Sequence, residues 1–297
     1  MSEAQILGTP SVLMDGLAMV ESPRWHDGRF WFAHWGAGEI VAVDLDGNHA
    51  VVGGGPEGLG WTFDWLPDGR LLVTGKELVC VGADGSTAPY ADLSSIANRG
   101  WSDIVVEGRG NVYVTSIMFE FLAGKPPEGG IIALVTPDGS ARQVAGDLAF
   151  PNGMVVTPDN QTLIISESFA GRLTAFDIDP DGGLSNRRVW AEGVGPDAIC
   201  LDADGAVWVG TADTRVSTGR EDSPGGAVVR IREGGEVLNR VEHDRPIFGC
   251  ALGGPDRKTL FLVASDWRGT NQVSDVVASR TGQVLTLNAP AAGVGWP

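Results

Sequence analysis

The sequence is short of several things at once. Its 297 residues include only three cysteines, four histidines, two tyrosines and three lysines, Lys76, Lys125 and Lys258. Cys80, Cys200 and Cys250 are widely spaced, form no C-x-x-C, and each sits in an apolar run. That excludes a disulfide framework and a cysteine-built zinc cage, and fits buried reduced thiols. His26, His34, His49 and His243 are scattered with no H-E-x-x-H, and no G-x-S-x-G nucleophile elbow occurs. The glycines of VVGGGPEGLG follow no strand-to-helix pattern, so no dinucleotide site is expected. No apolar run approaches the roughly 18 residues of a membrane helix. MSEAQILGTPSVLMDG lacks the basic start and apolar stretch of a secretory signal, so a cytoplasmic location is expected. Positive charge is scarce too. Lys+Arg 21 against Asp+Glu 38 gives a formal net charge of -17, which disfavours nucleic acid and anionic membranes as partners but not metal cations.

What the chain has in quantity is glycine, 43 residues, and an internal repeat. A polar or small start, an apolar run, a turn and a second apolar run recur as ESPRWHDGRFWFA, WTFDWLPDGRLLVTG, WSDIVVEGRGNVYVTS, PNGMVVTPDNQTLIISE, PDAICLDADGAVWVGT and FGCALGGPDRKTLFLVA. The turn residues Gly28, Gly69, Gly110, Asn160, Gly205 and Arg257 stand about 41–52 residues apart, the length of a four-stranded propeller blade. D-G and N-x pairs supply the positive φ of tight hairpins. Further strands such as EIVAVDLDG, GIIALVTPDG and RLTAFDIDPDG follow, and no segment carries long helical periodicity. Six such units predict an all-β fold. It is a six-bladed β-propeller with four-stranded blades around a central channel, occupying 1–297 as one domain. Two β-sandwiches are the alternative, but no linker divides the chain. The segment ILGTPSVLMDG is expected to close the ring by pairing with the last blade, which removes exposed sheet edges. The insertions SIMFEFLAGKPPEGG, TADTRVSTGREDSPGG and SDWRGTNQVSDVVASRTG fall at corresponding points of their units, so they map to one face, the expected binding face.

Aligning the units on the turn residue asks what enters the channel at one height. About eight positions earlier stand Trp61, Ser102, Asn152, Asp197 and Gly249, with Glu21 in the first, shorter unit. Glu21, Asn152 and Asp197 are oxygen donors from three units. Two carboxylates and an amide oxygen are hard ligands, suited to Ca²⁺, Mg²⁺ or Mn²⁺, with Zn²⁺ a less usual fit. Two carboxylates brought close repel each other unless a cation lies between them. Asp177, Asp179 and Asp181 before Gly182 imitate an EF-hand loop, but Arg188 stands where its bidentate Glu belongs, so this segment is read as a hairpin turn.

These motifs resemble those of the SMP-30/gluconolactonase group, six-bladed propellers that hydrolyse lactones with one divalent metal. The resemblance covers most of the chain. ESPRW resembles the family's glutamate motif, PNG its asparagine motif and PDAICLDADGAVWVG its aspartate motif, in the right order. It implies Glu21, Asn152 and Asp197 as metal ligands, with Glu21 and Asp197 catalytic and Asp197 the base. It also implies one divalent metal ion as cofactor, calcium first and manganese, magnesium or zinc next, and a small-molecule lactone or ester as partner. In NRGWSDIVVEGRG the chain departs from the family. Ser102-Asp103 replaces an Asn-Asp pair, Arg99 lies one residue upstream of the family's arginine, and Trp101 adjoins Ser102. Sugar-lactone binding is therefore less well supported than lactone chemistry itself. Ser102, Asp103, Arg99, Trp101, Glu120 and Phe121 are the substrate-binding candidates. Trp35, Trp61, Met118, Phe119, Phe150 and Phe248 either line the mouth, which would favour a less polar lactone or ester, or pack between blades. A metal-dependent phosphotriesterase or aryl esterase, and a non-catalytic binding propeller with a structural metal, are the alternative functions.

Overall fold

In the computed structural model, residues 4–82, 84–211 and 225–295 are described. All six turn residues of the repeat adopt positive φ, from 55° at Asn160 and 57° at Arg257 to 88° at Gly110. Each closes an antiparallel hairpin. The amino-terminal strands are β1 (Gln5–Ile6) and β2 (Ser11–Leu17). Blade 1 holds β3 (Val20–His26), β4 (Arg29–His34), β5 (Glu39–Val43) and β6 (His49–Gly54). Blade 2 is built of four short strands, β7 (Phe63–Trp65), β8 (Leu71–Val73), β9 (Val79–Val81) and β10 (Thr87–Pro89). Blade 3 holds β11 (Ile104–Val106), β12 (Val112–Ser116), β13 (Gly130–Val135) and β14 (Ala141–Leu148). Blade 4 has β15 (Pro151–Val156), β16 (Thr162–Glu167), β17 (Arg172–Ile178) and β18 (Leu184–Glu192). Blade 5 has β19 (Pro196–Leu201), β20 (Val207–Thr211), β21 (Gly226–Ile231) and β22 (Val237–His243). Blade 6 has β23 (Ile247–Gly253), β24 (Thr259–Ala264) and β25 (Gly282–Asn288).

These six sheets form a six-bladed β-propeller. The ring closes as expected: β2 pairs antiparallel with β25 and supplies the fourth strand of blade 6. A second clasp was not foreseen, for β1 adds in parallel to the outer edge of blade 5 through Gln5 and Ile6. Both clasps cover strand edges that would otherwise offer unpaired backbone groups.

Apolar side chains from adjacent blades make the core. Between blades 6 and 1, Phe30 stacks on Phe261 at 4.5 Å, and Trp25 stacks on Phe261 at 5.4 Å. Each such buried side chain contributes roughly 1.5–3 kcal/mol. Cys200 and Cys250 are buried free thiols with sulfurs 3.6 Å apart, whereas Cys80, on the short strand β9, is only half-buried. Asp179 and Asp181 lie in a hairpin turn, in which the Gly182 N–H donates to the Asp179 carbonyl, and Asp177 stands at the end of β17 leading into it. Two of the three insertions are described. SIMFEFLAGKPPEGG forms a short 3₁₀ turn at Phe121–Ala123, and SDWRGTNQVSDVVASRTG carries α1 (Val273–Ser279), a helix too short for its period to show in the sequence. The third lies almost wholly outside the described residues. No helix among the described residues is long and apolar enough to cross a membrane.

Candidate functional site

The innermost strands set the floor of the site. Glu21 lies on β3, Asn152 on β15 and Asp197 on β19, each near the start of its strand and so at the same end of the channel. Their approach depends on a small residue. A Cβ on Gly153 would lie 2.6 Å from the Ala198 Cα and 2.8 Å from the Asp197 carbonyl oxygen, so only glycine lets β15 and β19 come this close. The Asn152 Nδ2 then donates to the Asp197 Oδ1 at 2.5 Å. The Ser166 hydroxyl holds the Asp197 carbonyl at 2.7 Å, and the Ser168 hydroxyl holds the Pro196 carbonyl at 2.7 Å.

Glu21 is 5% exposed and accepts the backbone N–H of Ser22. Burial first, and then the charge of Asp197, push its carboxyl well above the usual range. Asp197 is raised by burial and by Asp103, against the lowering effect of Asn152. Among the described residues, neither Glu21 nor Asp197 forms an ion pair. Two recessed carboxylates thus interact with no ion pair to either, and Arg24 offsets only part of the charge on Glu21. Their oxygens, with the amide oxygen of Asn152, fit a hard divalent cation, which would offset the burial and the neighbouring negative charge that raise both carboxyls. No three His, Cys, Asp or Glu side chains cluster as a metal cage among the described residues, so the donor set is a mixed one that needs the amide.

Above the floor opens a cavity of about 1280 Å³. Glu21, Asn152 and Asp197 line it, and so do all six substrate-binding candidates, Arg99, Trp101, Ser102, Asp103, Glu120 and Phe121. Trp35, Phe119, Phe150 and Phe248 line it as well. Trp61 and Met118 do not. Trp61 is buried between blades 1 and 2 and Met118 packs on the core of blades 2 and 3, while Thr62 takes the cavity-facing place in blade 2. At the sixth register position Gly249 packs on Pro23 and Ala198, and Phe248 lines the cavity instead.

Ser102 turns away from the donors. Its hydroxyl bonds the Thr115 hydroxyl at 2.9 Å, and its carbonyl accepts from Thr74 at 2.7 Å. Asp103 is buried, with its Oδ1 accepting from the Ile104 N–H at 2.6 Å and lying 3.7 Å from Arg24. Arg99 and Glu120 meet each other at the rim, 3.0 Å apart.

Two features were not singled out from the sequence. Arg24 is a buried cation beneath the floor, donating to the Pro23 and Ile104 carbonyls and screening Asp103 and Asp64. A charged residue inside the strand SPRWH is the signal that could have found it. The second is a repeated corner after the second strand of blades 1, 3 and 4. There 3₁₀ turns at Trp35–Ala37, Phe121–Ala123 and Ser168–Ala170 each end on a left-handed glycine. The shared letters WGAG, FLAG and SFAG mark it, and it brings Trp35, Phe121 and Phe169 to the cavity.

Known proteins resemble this chain. The family described as SMP-30/Gluconolactonase/LRE-like region matches residues 19–266. The chain is 28% identical over 169 residues to the 6-deoxy-6-sulfogluconolactonase of Pseudomonas putida, a match covering 54% of each chain. It is 29% identical over 182 residues to the regucalcin of Xenopus laevis, covering 56% of each. The chain therefore spans about half the length of these relatives. A solved structure of a calcium-binding protein, regucalcin, from Agrobacterium tumefaciens strain C58 superposes with a TM-score of 0.75 at 19% identity, over 100% of this chain and 99% of that one, which supports the fold.

Proposed function

The chain belongs to the SMP-30/gluconolactonase/LRE-like family, and from that premise we propose that it is a lactonase-type hydrolase, with one divalent cation held by Glu21, Asn152 and Asp197. The observation that carries this reading is the floor itself. Two buried carboxylates that form no ion pair among the described residues and an amide, from three blades, line the bottom of a large cavity. Calcium is the first candidate for the hard-oxygen set, with manganese, magnesium and zinc next. When bound, such a cation polarises the ester carbonyl and makes water more acidic.

The residues supply the rest. The Asn152 amide fixes one oxygen of Asp197, which leaves the other free to take a proton from the attacking water. The hydroxyl of that water joins the carbonyl carbon, and the bond from that carbon to the ring oxygen breaks. The proton on Asp197 passes to the departing ring oxygen, which gives the hydroxy acid. Glu21 keeps the floor anionic, and the aromatic walls limit competing water.

The test strips the protein with a chelator and restores Ca²⁺, Mn²⁺, Mg²⁺ and Zn²⁺ separately, on lactones, aryl esters and phosphotriesters. Turnover of a lactone that depends on restored metal is expected. Folded, metal-loaded protein that turns over no lactone overturns the reading, and turnover of phosphotriesters or aryl esters alone replaces it with the other hydrolase class.

A further inference from the structure

We propose that the substrate is an uncharged lactone carrying an apolar substituent, and that Phe119, Phe121, Phe150 and Phe169 form the wall that receives it. This deepens the lactonase reading and rests on it. The four rings come from three stretches: the insertion after β12, the bend before β15 and the corner after β16. Every pair lies between 4.5 and 6.3 Å, so the rings form one continuous apolar surface. The surface is graded, from Phe119, which is buried, to Phe169, 51% exposed, and Leu122, which lines the same cavity, is 44% exposed. Exposed large apolar side chains rimming a cavity mark a place where a ligand covers them.

Phe150 adds a second observation. It sits at φ 61°, a left-handed conformation that a bulky aromatic residue adopts only under strain. Glycine would relax the backbone there, yet the strained bend carries a ring to the centre of the cluster.

The polar inventory points the same way. Among the described residues lining the cavity, Arg99 is the one lysine or arginine, and Glu120 neutralises it. Among these described side chains, a carboxylate or phosphate on the substrate would find no unpaired lysine or arginine. Ser102, Ser168 and Asn152 commit polar groups to Thr115, to the Pro196 carbonyl and to Asp197, while the Thr62 hydroxyl is left as an uncommitted partner. A polyhydroxylated ring needs several uncommitted partners, and burying its hydroxyls without them is unfavourable.

The experiment measures kcat/KM of metal-loaded protein on δ-lactones with alkyl tails from none to six carbons, beside gluconolactone. Each methylene laid on the wall raises kcat/KM by up to about fourfold. In a Phe121→Ser/Phe169→Ser double variant, checked for folding by thermal melting, the ratio of long-tailed to unsubstituted lactone falls about tenfold or more. Faster turnover of gluconolactone than of tailed lactones, or a tail dependence unchanged in the variant, overturns the proposal. A second readout separates it from the hydrolase reading: binding of 2-alkylcyclohexanones, which cannot be hydrolysed, followed by tryptophan fluorescence. Tail-dependent binding that the double variant loses, with no lactone turned over, supports the wall and removes the lactonase reading. Lactones hydrolysed with no tail dependence in either assay overturn the wall alone.

Discussion

The floor of the cavity and its mouth are built by different rules. Floor residues lie on the innermost strands, one per blade, where the repeat fixes their height and close backbone packing fixes their spacing. Mouth residues lie on corners and insertions that follow no common length, and their rings pack on one another. The difference teaches where each kind of work belongs. Chemistry that fails with a shift of about 1 Å sits on rigid strands, and recognition that varies between substrates sits on loops.

The sharpest way to break the comparison is at the floor. Asp197→Asn keeps the size of the side chain but removes the charge and the proton acceptor. Activity of the metal-loaded variant is expected to fall about 10²–10⁴-fold, the usual contribution of a positioned base. A folded variant with full activity would show that Asp197 has no part in proton transfer.

Next in size is the charge beneath the floor. Arg24→Met keeps the length of the stem but leaves the buried Asp103 and Asp64 without their cation. Removing one partner of a buried pair costs about 3–5 kcal/mol, and urea denaturation at pH 7 is expected to show a loss at the low end of that range. The loss shrinks in acid, where both carboxyls are protonated. A loss under about 1 kcal/mol would mean that Arg24 does not screen them.

How much of this could be read from the residues follows the same division. The turn residues, the six units and the closing strand obey a period, so one sequence sufficed to place them, and Glu21, Asn152 and Asp197 followed from the register. The period misled where a blade substitutes locally. Trp61 turns into the core while Thr62 lines the cavity, and Gly249 is consumed by packing on Pro23 while Phe248 faces inward. Arg24 was hidden because alternation along a strand cannot tell a solvent-facing arginine from one facing a sealed channel. Phe169 was hidden because its corner repeats in three blades only. The pairing of Arg99 with Glu120 joins residues 21 positions apart across loops, which no periodicity encodes.

Asp64 sharpens the comparison by titration. It accepts the N–H groups of Trp65 and Val106, both at 2.8 Å, yet burial pushes its pKa up to about 6 from 3.8 despite Arg24. A carboxyl raised in the folded state keeps its proton where the unfolded chain has released it. Its contribution to stability is full below about pH 4 and is lost as pH rises through about 6, a swing of about 3 kcal/mol. Asparagine cannot titrate. The stability of the parent protein minus that of Asp64→Asn should therefore decline across this window and level off above about pH 7. A difference that stays flat with pH would place the Asp64 carboxyl in its ordinary range.

The smallest effect is expected at the mouth, and its smallness is the point. Leu122 packs little and is largely open, so Leu122→Ser should change unfolding free energy by no more than about 0.5 kcal/mol. Phe169→Ser gives up a stacked contact with Phe150 at 4.5 Å and looser ring contacts with Phe119 and Phe121 at 6.1 Å, and should cost about 1 kcal/mol. Neither residue holds the blades together, so nothing in the fold requires an apolar side chain at either place. Denaturant melts of the two variants, set beside that of Arg24→Met, test whether the rim is free to vary while the floor is not. A loss of about 3 kcal/mol at Leu122 or Phe169 would make the rim part of the frame and remove the distinction between the two regions.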